Sequence, residues 1–150
     1  MTNDNAISTI NNLIETCKDG EKGFSAAAEG LTNPTYKGKF QEFAQQRAKF
    51  ARELQDQVRA IGGDPEKTGS VGGALHRGWI DIKSVVTGKS DHAILAEAER
   101  GEDVAKAAYE AALKENLPGA AAGVVRQQSD VVRQTHDYVR DSRDREKSTT

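Results

Sequence analysis

The sequence predicts an all-α fold, an antiparallel four-helix bundle with a long crossover between its second and third long helices. Apolar residues recur at spacings of three and four through four long segments, the pattern of amphipathic helices that share a core. No stretch shows the alternation typical of a β-strand. The second of the three connections is far longer than the others, and an up-down-up-down bundle would not need it.

The first two helices are bounded by caps and breakers. Asn3 or Asp4 can cap a helix over about 4–30, and Asn33 before Pro34 ends it, because a residue before proline avoids the helical region. A second helix over about 35–61 stops at the Gly62–Pro65 break. The short first connection makes this pair an antiparallel hairpin.

The rest of the chain supplies three more helices. A short amphipathic helix is predicted over 70–86 in the crossover, with Trp79 on its apolar face as an anchor. Ser90 or Asp91 caps a third long helix over about 90–116, and Pro118 opens a fourth over about 118–143. We therefore expect a single bundle domain over 1–143, followed by a polar tail over 144–150.

Composition excludes several classes of protein. The net charge is −2 with acids and bases interspersed, so we expect no nucleic-acid partner. The apolar stretches are too short to span a membrane, and MTNDNAIST does not resemble a signal peptide, so we expect a cytoplasmic protein. The lone Cys17 lies on an apolar stripe, which indicates a buried, inert thiol.

One ionisable residue interrupts the apolar stripe of each long helix: Glu21, Arg47, Glu102 and His136. A buried charge is costly unless it is paired or bound to a metal. Counting residues from each connection places Glu21 level with Arg47, and Glu102 level with His136. We therefore predict that the four side chains form one buried polar network.

Two stretches carry a resemblance to known proteins: RELQDQVRAIGGDPEKTGSVGGALHRGWIDIKSVVTG and HAILAEAERGEDVAKAAYEAAL, followed by the helix that bears His136. The chain resembles the ferritin-like superfamily, and most closely an uncharacterised bacterial family of ferritin-related four-helix bundles, a domain of unknown function. The resemblance covers about 7–139 and implies the fold. It implies no established activity.

The wider superfamily holds two metal ions with one Glu on each of two helices and a Glu-x-x-His on each of the other two. By this resemblance Glu21, Glu102 and His136 match three ligands. Arg133 stands where the Glu partner of His136 belongs, Arg47 stands at the inward position of the second helix, and no Glu-x-x-His occurs in the chain. Glu99, one turn from Glu102, is a spare carboxylate or a surface acid.

Three classes of function remain open. The sequence favours a non-enzymatic structural or interaction protein, with a stress-related role and homo-oligomerisation among its expected properties. The second class is a metal-binding protein or degenerate oxidase relative that uses Glu21, Glu102 and His136 for iron or manganese. The third is a binder of a small ligand in the core, with Arg47 contacting an anion. No cofactor is favoured, and we expect no membrane partner.

Overall fold

The structure, a computed structural model, describes residues 3–65, 79 and 90–147. Its helices are α1 (Asp4–Gly30), α2 (Pro34–Ala60), α3 (Asp91–Leu113) and α4 (Ala121–Lys147). The described ranges contain no strand, and the prediction of an all-α four-helix bundle is confirmed. The crossover helix predicted over 70–86 lies outside the described residues, Trp79 excepted.

Local capping sets the starts of α2 and α3. The Asn33 side-chain oxygen accepts a hydrogen bond from the backbone N–H of Thr35 at 2.9 Å, and Pro34 occupies a first-turn position that needs no N–H donor. The Ser90 hydroxyl accepts a hydrogen bond from the backbone N–H of Ala93 at 3.2 Å. These polar residues therefore fix where each helix begins.

The connection between α3 and α4 differs from the prediction. α3 ends at Leu113, not near 116, and α4 begins at Ala121, not at 118. Gly119 has a φ of 55°, a left-handed conformation that interrupts any helix started at Pro118. α4 then continues to Lys147, so the first part of the predicted polar tail, 144–147, is helical.

Contacts between the helices support two antiparallel hairpins. Asn3 at the start of α1 donates a hydrogen bond to the carbonyl of Ile61, just beyond the end of α2. In the other half of the same pair, the rings of Phe24 and Phe40 lie 5.1 Å apart. The contacts between α3 and α4 follow the same pattern. Tyr109 near the end of α3 contacts Gln128 near the start of α4, and Glu99 nearer the start of α3 contacts Arg143 near the end of α4.

The end of α2 and the start of α3 lie at opposite ends of the bundle. The Asp64 carbonyl accepts a hydrogen bond from Asn11 of α1 at 3.2 Å. The Asp91 carboxylate accepts hydrogen bonds from the backbone N–H groups of Thr32 and Asn33, both at 2.9 Å, in the α1–α2 turn. The two described ends that the connection between α2 and α3 joins are therefore a bundle length apart.

The core consists of two apolar clusters. The first contains the early part of α1, the late part of α2, the late part of α3 and the early part of α4; its large members include Ile10, Leu13, Ile14, Phe50, Leu54 and Tyr109. The second lies toward the α1–α2 turn and includes Phe24, Phe40, Trp79, Ile94, Leu95 and Val139. No helix in the described ranges is both long enough and apolar enough to cross a membrane.

Candidate functional site

A polar layer lies where the two apolar clusters meet. Arg47 of α2, Glu102 of α3 and His136 of α4 are all buried. Each lies along its helix between residues of one cluster and residues of the other. The structure therefore places three of the four sequence-predicted residues in buried positions at this level of the bundle.

Glu21, the fourth predicted member, does not join them. It is half-buried and lines an outer groove between α1 and α2. Gly20 takes the inward position, because a Cβ atom there would lie 3.0 Å from Arg47 Nη1 and 3.3 Å from its Cγ. The predicted pairing of Glu21 with Arg47 is wrong by one residue of helix register, since the long Arg47 side chain fills the space beside α1.

Arg47 pairs with Glu102 instead. Arg47 Nη1 donates to Glu102 Oε1 at 2.8 Å and Nη2 donates to Oε2 at 2.5 Å, and both side chains are 0% exposed. Burial alone would lower the pKa of Arg47, but the charge and hydrogen bonds of Glu102 outweigh it and raise that pKa. The guanidinium is therefore a fixed internal cation with a bidentate carboxylate partner.

Aromatic rings cover this ion pair. The Phe24 ring centroid lies 5.4 Å from Arg47 Cζ, and Trp79 packs 5.1 Å from Phe24. The indole fits against two glycines, since a Cβ atom would lie 2.2 Å from it at Gly23 and 2.4 Å from it at Gly101. Trp79, 8% exposed, thus occupies a slot between α1 and α3 that glycine alone leaves open.

A separate chain of hydrogen bonds lies within the first cluster. The Tyr109 hydroxyl donates to Gln128 Oε1 at 2.7 Å, so the Cys17 thiol, 3.1 Å away, donates to the Tyr109 oxygen. Gln128 in turn donates to Glu53 at 3.0 Å. Burial raises the pKa of Cys17 to about 11 and that of Tyr109 well above its usual value, so both groups stay protonated. The prediction of a buried thiol is confirmed.

His136 lies in a separate cluster at the α3–α4 seam. Its Nε2 is 2.6 Å from Asp103 Oδ1 and 3.5 Å from Glu99 Oε2. One donor atom from each of these three residues lies within 4.8 Å of the other two. The His136 side chain is 6% exposed, that of Glu99 16% and that of Asp103 56%, so the cluster opens to solvent on the Asp103 side.

Further residues hold two members of this cluster. His136 Nδ1 lies 3.1 Å from Asp137 Oδ1, and the hydrogen bond between them lowers the pKa of Asp137. Arg143 Nη1 donates to Glu99 Oε1 at 2.8 Å, which leaves Oε2 directed toward His136. Such outer contacts fix the tautomer and orientation of a histidine and the free oxygen of a carboxylate.

The di-metal centre implied by the ferritin-like resemblance does not fit this core. Both oxygens of Glu102 are bound by the Arg47 guanidinium, and Glu21 lies in the outer groove. A centre of that kind needs several inward carboxylates to neutralise two cations. Here the Glu102 carboxylate already balances the resident positive charge of Arg47.

Asp103 was not predicted from the sequence, and Glu99 was predicted only as a spare carboxylate or a surface acid. Glu99 and Asp103 are four residues apart and therefore share one face of α3, one residue away from the inward face that carries Glu102. His136 was predicted to meet Glu102, and it meets that neighbouring face instead. The i, i+4 spacing of Glu99 and Asp103 could have indicated this cluster, but solvent-exposed acids show the same spacing.

The fold and the clusters define an all-α bundle with an internal ion pair and a carboxylate–histidine group on one helix seam. The chain belongs to the family described as domain of unknown function (DUF2383), which matches residues 5–115. The match includes Arg47, Glu99, Glu102 and Asp103, and it stops before α4 and His136. A comparison with curated proteins found no match.

Proposed function

We propose that the protein binds one first-row transition-metal ion through Glu99, Asp103 and His136. The observation that carries this proposal is the convergence of two carboxylate oxygens on Nε2 of a nearly buried histidine. An ion bonded at about 2.0–2.2 Å holds its ligands up to roughly 4.4 Å apart, so only a small side-chain adjustment is required.

The donor set favours particular ions. One imidazole nitrogen and two carboxylate oxygens suit Mn²⁺, Fe²⁺ or Zn²⁺, whereas Mg²⁺ and Ca²⁺ prefer oxygen ligands alone. Three protein donors also leave coordination positions free, and these face solvent beside Asp103. This proposal keeps the sequence-based expectation of iron or manganese but replaces Glu21 and Glu102 with Glu99 and Asp103.

The core has a different, non-catalytic role in this proposal. Arg47 and Glu102 neutralise each other, and each uses both of its terminal atoms on the other. This pair supports the expectation of a non-enzymatic bundle whose inner polar layer is structural. The long connection between α2 and α3 supports a relation to the ferritin-like superfamily, with the core metal centre replaced by an arginine.

Metal titration of the purified chain tests the proposal. Addition of Co²⁺ should produce visible absorption that saturates at one ion per chain, and Mn²⁺ should compete for the same site. Asp103→Asn should weaken binding by about ten-fold or more, because one of three donors loses its charge. His136→Gln should abolish saturable binding.

Matched variants separate the site from general surface charge. Asp130→Asn changes an exposed acid of α4 that pairs with Arg133, and His92→Gln changes another histidine; neither should alter the titration. Binding that survives both His136→Gln and Asp103→Asn would contradict the proposed site. An absence of saturable binding in the unmodified chain would contradict metal binding altogether.

A further inference from the structure

The outer face of α1 and α2 carries a groove that is remote in sequence from the proposed metal ligands. Its walls are Glu21 and Ser25 of α1 and one face of α2, and its volume is about 470 Å³. The floor is made of small side chains, Ala44 and Ala48. It can receive side chains of another molecule, and the floor lets a second helix approach closely.

Two opposite charges stand at different heights along this groove. Glu21 lies at the level of Ala44 and Gln45, and Arg52 lies two turns of α2 further on. Neither side chain forms an ion pair with another described residue, although Lys39–Glu42 and Arg59–Asp56 pair on the same helix. The groove therefore presents one acidic and one basic position, neither of which has an ion-pair partner within the described part of the chain.

The spacing of these charges fits a second copy of the same chain. In a two-fold symmetric contact, if one residue of the first copy contacts a different residue of the second copy, the same pair also meets with the two copies exchanged. The midpoint between the level of Glu21 and that of Arg52 falls at Ala48, whose small side chain lines the groove. A two-fold axis at this height brings Glu21 of each copy to Arg52 of the other.

We propose that the α1–α2 groove is a symmetric dimer contact, closed by two reciprocal Glu21–Arg52 ion pairs across Ala48. The contact is polar. Among the described residues, the large apolar side chain that is exposed is Leu113 of α3, and Leu113 lies outside the groove. Exposed ion pairs are screened by salt, so the dimer is weak and dissociates as the salt concentration rises. The dimer contact does not depend on metal binding.

Charge reversal tests the contact in the 150-residue chain. Sedimentation equilibrium of the unmodified protein at low salt, up to about 1 mM, covers the Kd range of a weak complex. Glu21→Arg or Arg52→Glu turns both ion pairs into repulsions and should raise the Kd by about ten-fold or more. Circular dichroism of each variant establishes that the helices are retained.

Mixing the two charge-reversal variants is the decisive experiment. A heterodimer of Glu21→Arg with Arg52→Glu again places opposite charges at both contacts, so the mixture should regain the Kd of the unmodified protein to within about three-fold. The same charge changes elsewhere, Glu110→Arg on α3 and Arg126→Glu on α4, should leave dimerisation unchanged. The proposal would be overturned if the protein is a monomer at about 1 mM, or if neither charge reversal changes the Kd of the dimer.

Discussion

Replacement of Glu102 by glutamine removes the negative charge of the buried ion pair and preserves its shape. Arg47 would then be left as a positive charge with no exposed surface and no ionised partner. Opposite charges about 4 Å apart attract by about 4 kcal/mol at an effective dielectric constant of about 20, and breaking a buried pair costs about 3–5 kcal/mol in measured cases. We expect Glu102→Gln to lower the free energy of unfolding by about 3–5 kcal/mol, a large part of the roughly 5–15 kcal/mol of a typical domain.

Denaturation by urea, followed by circular dichroism and by the fluorescence of the single tryptophan, measures this loss. Glu110→Gln makes the same chemical change at an exposed position of α3 and should stay within about 0.5 kcal/mol of the unmodified protein. The double variant Arg47→Met with Glu102→Met should be more stable than Glu102→Gln, because it leaves no stranded charge. A loss below about 1 kcal/mol for Glu102→Gln would refute the buried, charged pair.

Two further predictions concern the pKa of Cys17 and the tryptophan slot. Because the pKa of Cys17 is raised from 9.0 to about 11, the unfolded thiol ionises first, so stability should be fully present below pH 9 and fall by about 2–3 kcal/mol between pH 9 and 11. Cys17→Ala should reduce this slope in alkaline unfolding curves, and an unchanged slope would exclude Cys17 as its source. Gly101→Ala should expel Trp79, shift its emission to longer wavelength and cost about 1–3 kcal/mol. Gly38→Ala, where a Cβ meets nothing within 4 Å, should instead stabilise α2 by roughly 0.5–1 kcal/mol, and a red shift there would contradict the slot.

The fold was predictable because each helix carries a strong local signal. The three- and four-residue apolar spacing defines the inward face of α1 and α2, and Asn33 with Pro34 marks their turn. The start of α4 was not predictable to the residue, because Pro118 suits a first helical turn. What delays the helix is the left-handed Gly119, and backbone conformation cannot be read from residue type alone.

The membership of the polar layer was predicted only in part, for a related reason. Cys17 and Phe24 are both inward on α1, and two turns of helix between them leave Gly20 and Glu21 as nearly equivalent positions. The choice depends on how far a side chain of another helix reaches, and Arg47 occupies the space beside Gly20. Long-range packing of this kind has no local sequence signature.

An anomalous diffraction measurement on crystals soaked in Mn²⁺ tests the proposed metal site most directly. We expect one strong anomalous peak per chain at the α3–α4 seam, within about 2.0–2.4 Å of His136 Nε2 and of carboxylate oxygens of Glu99 and Asp103. We expect no peak between Arg47 and Glu102. A peak between Arg47 and Glu102, or crystals with no peak near His136, would contradict the proposed metal site.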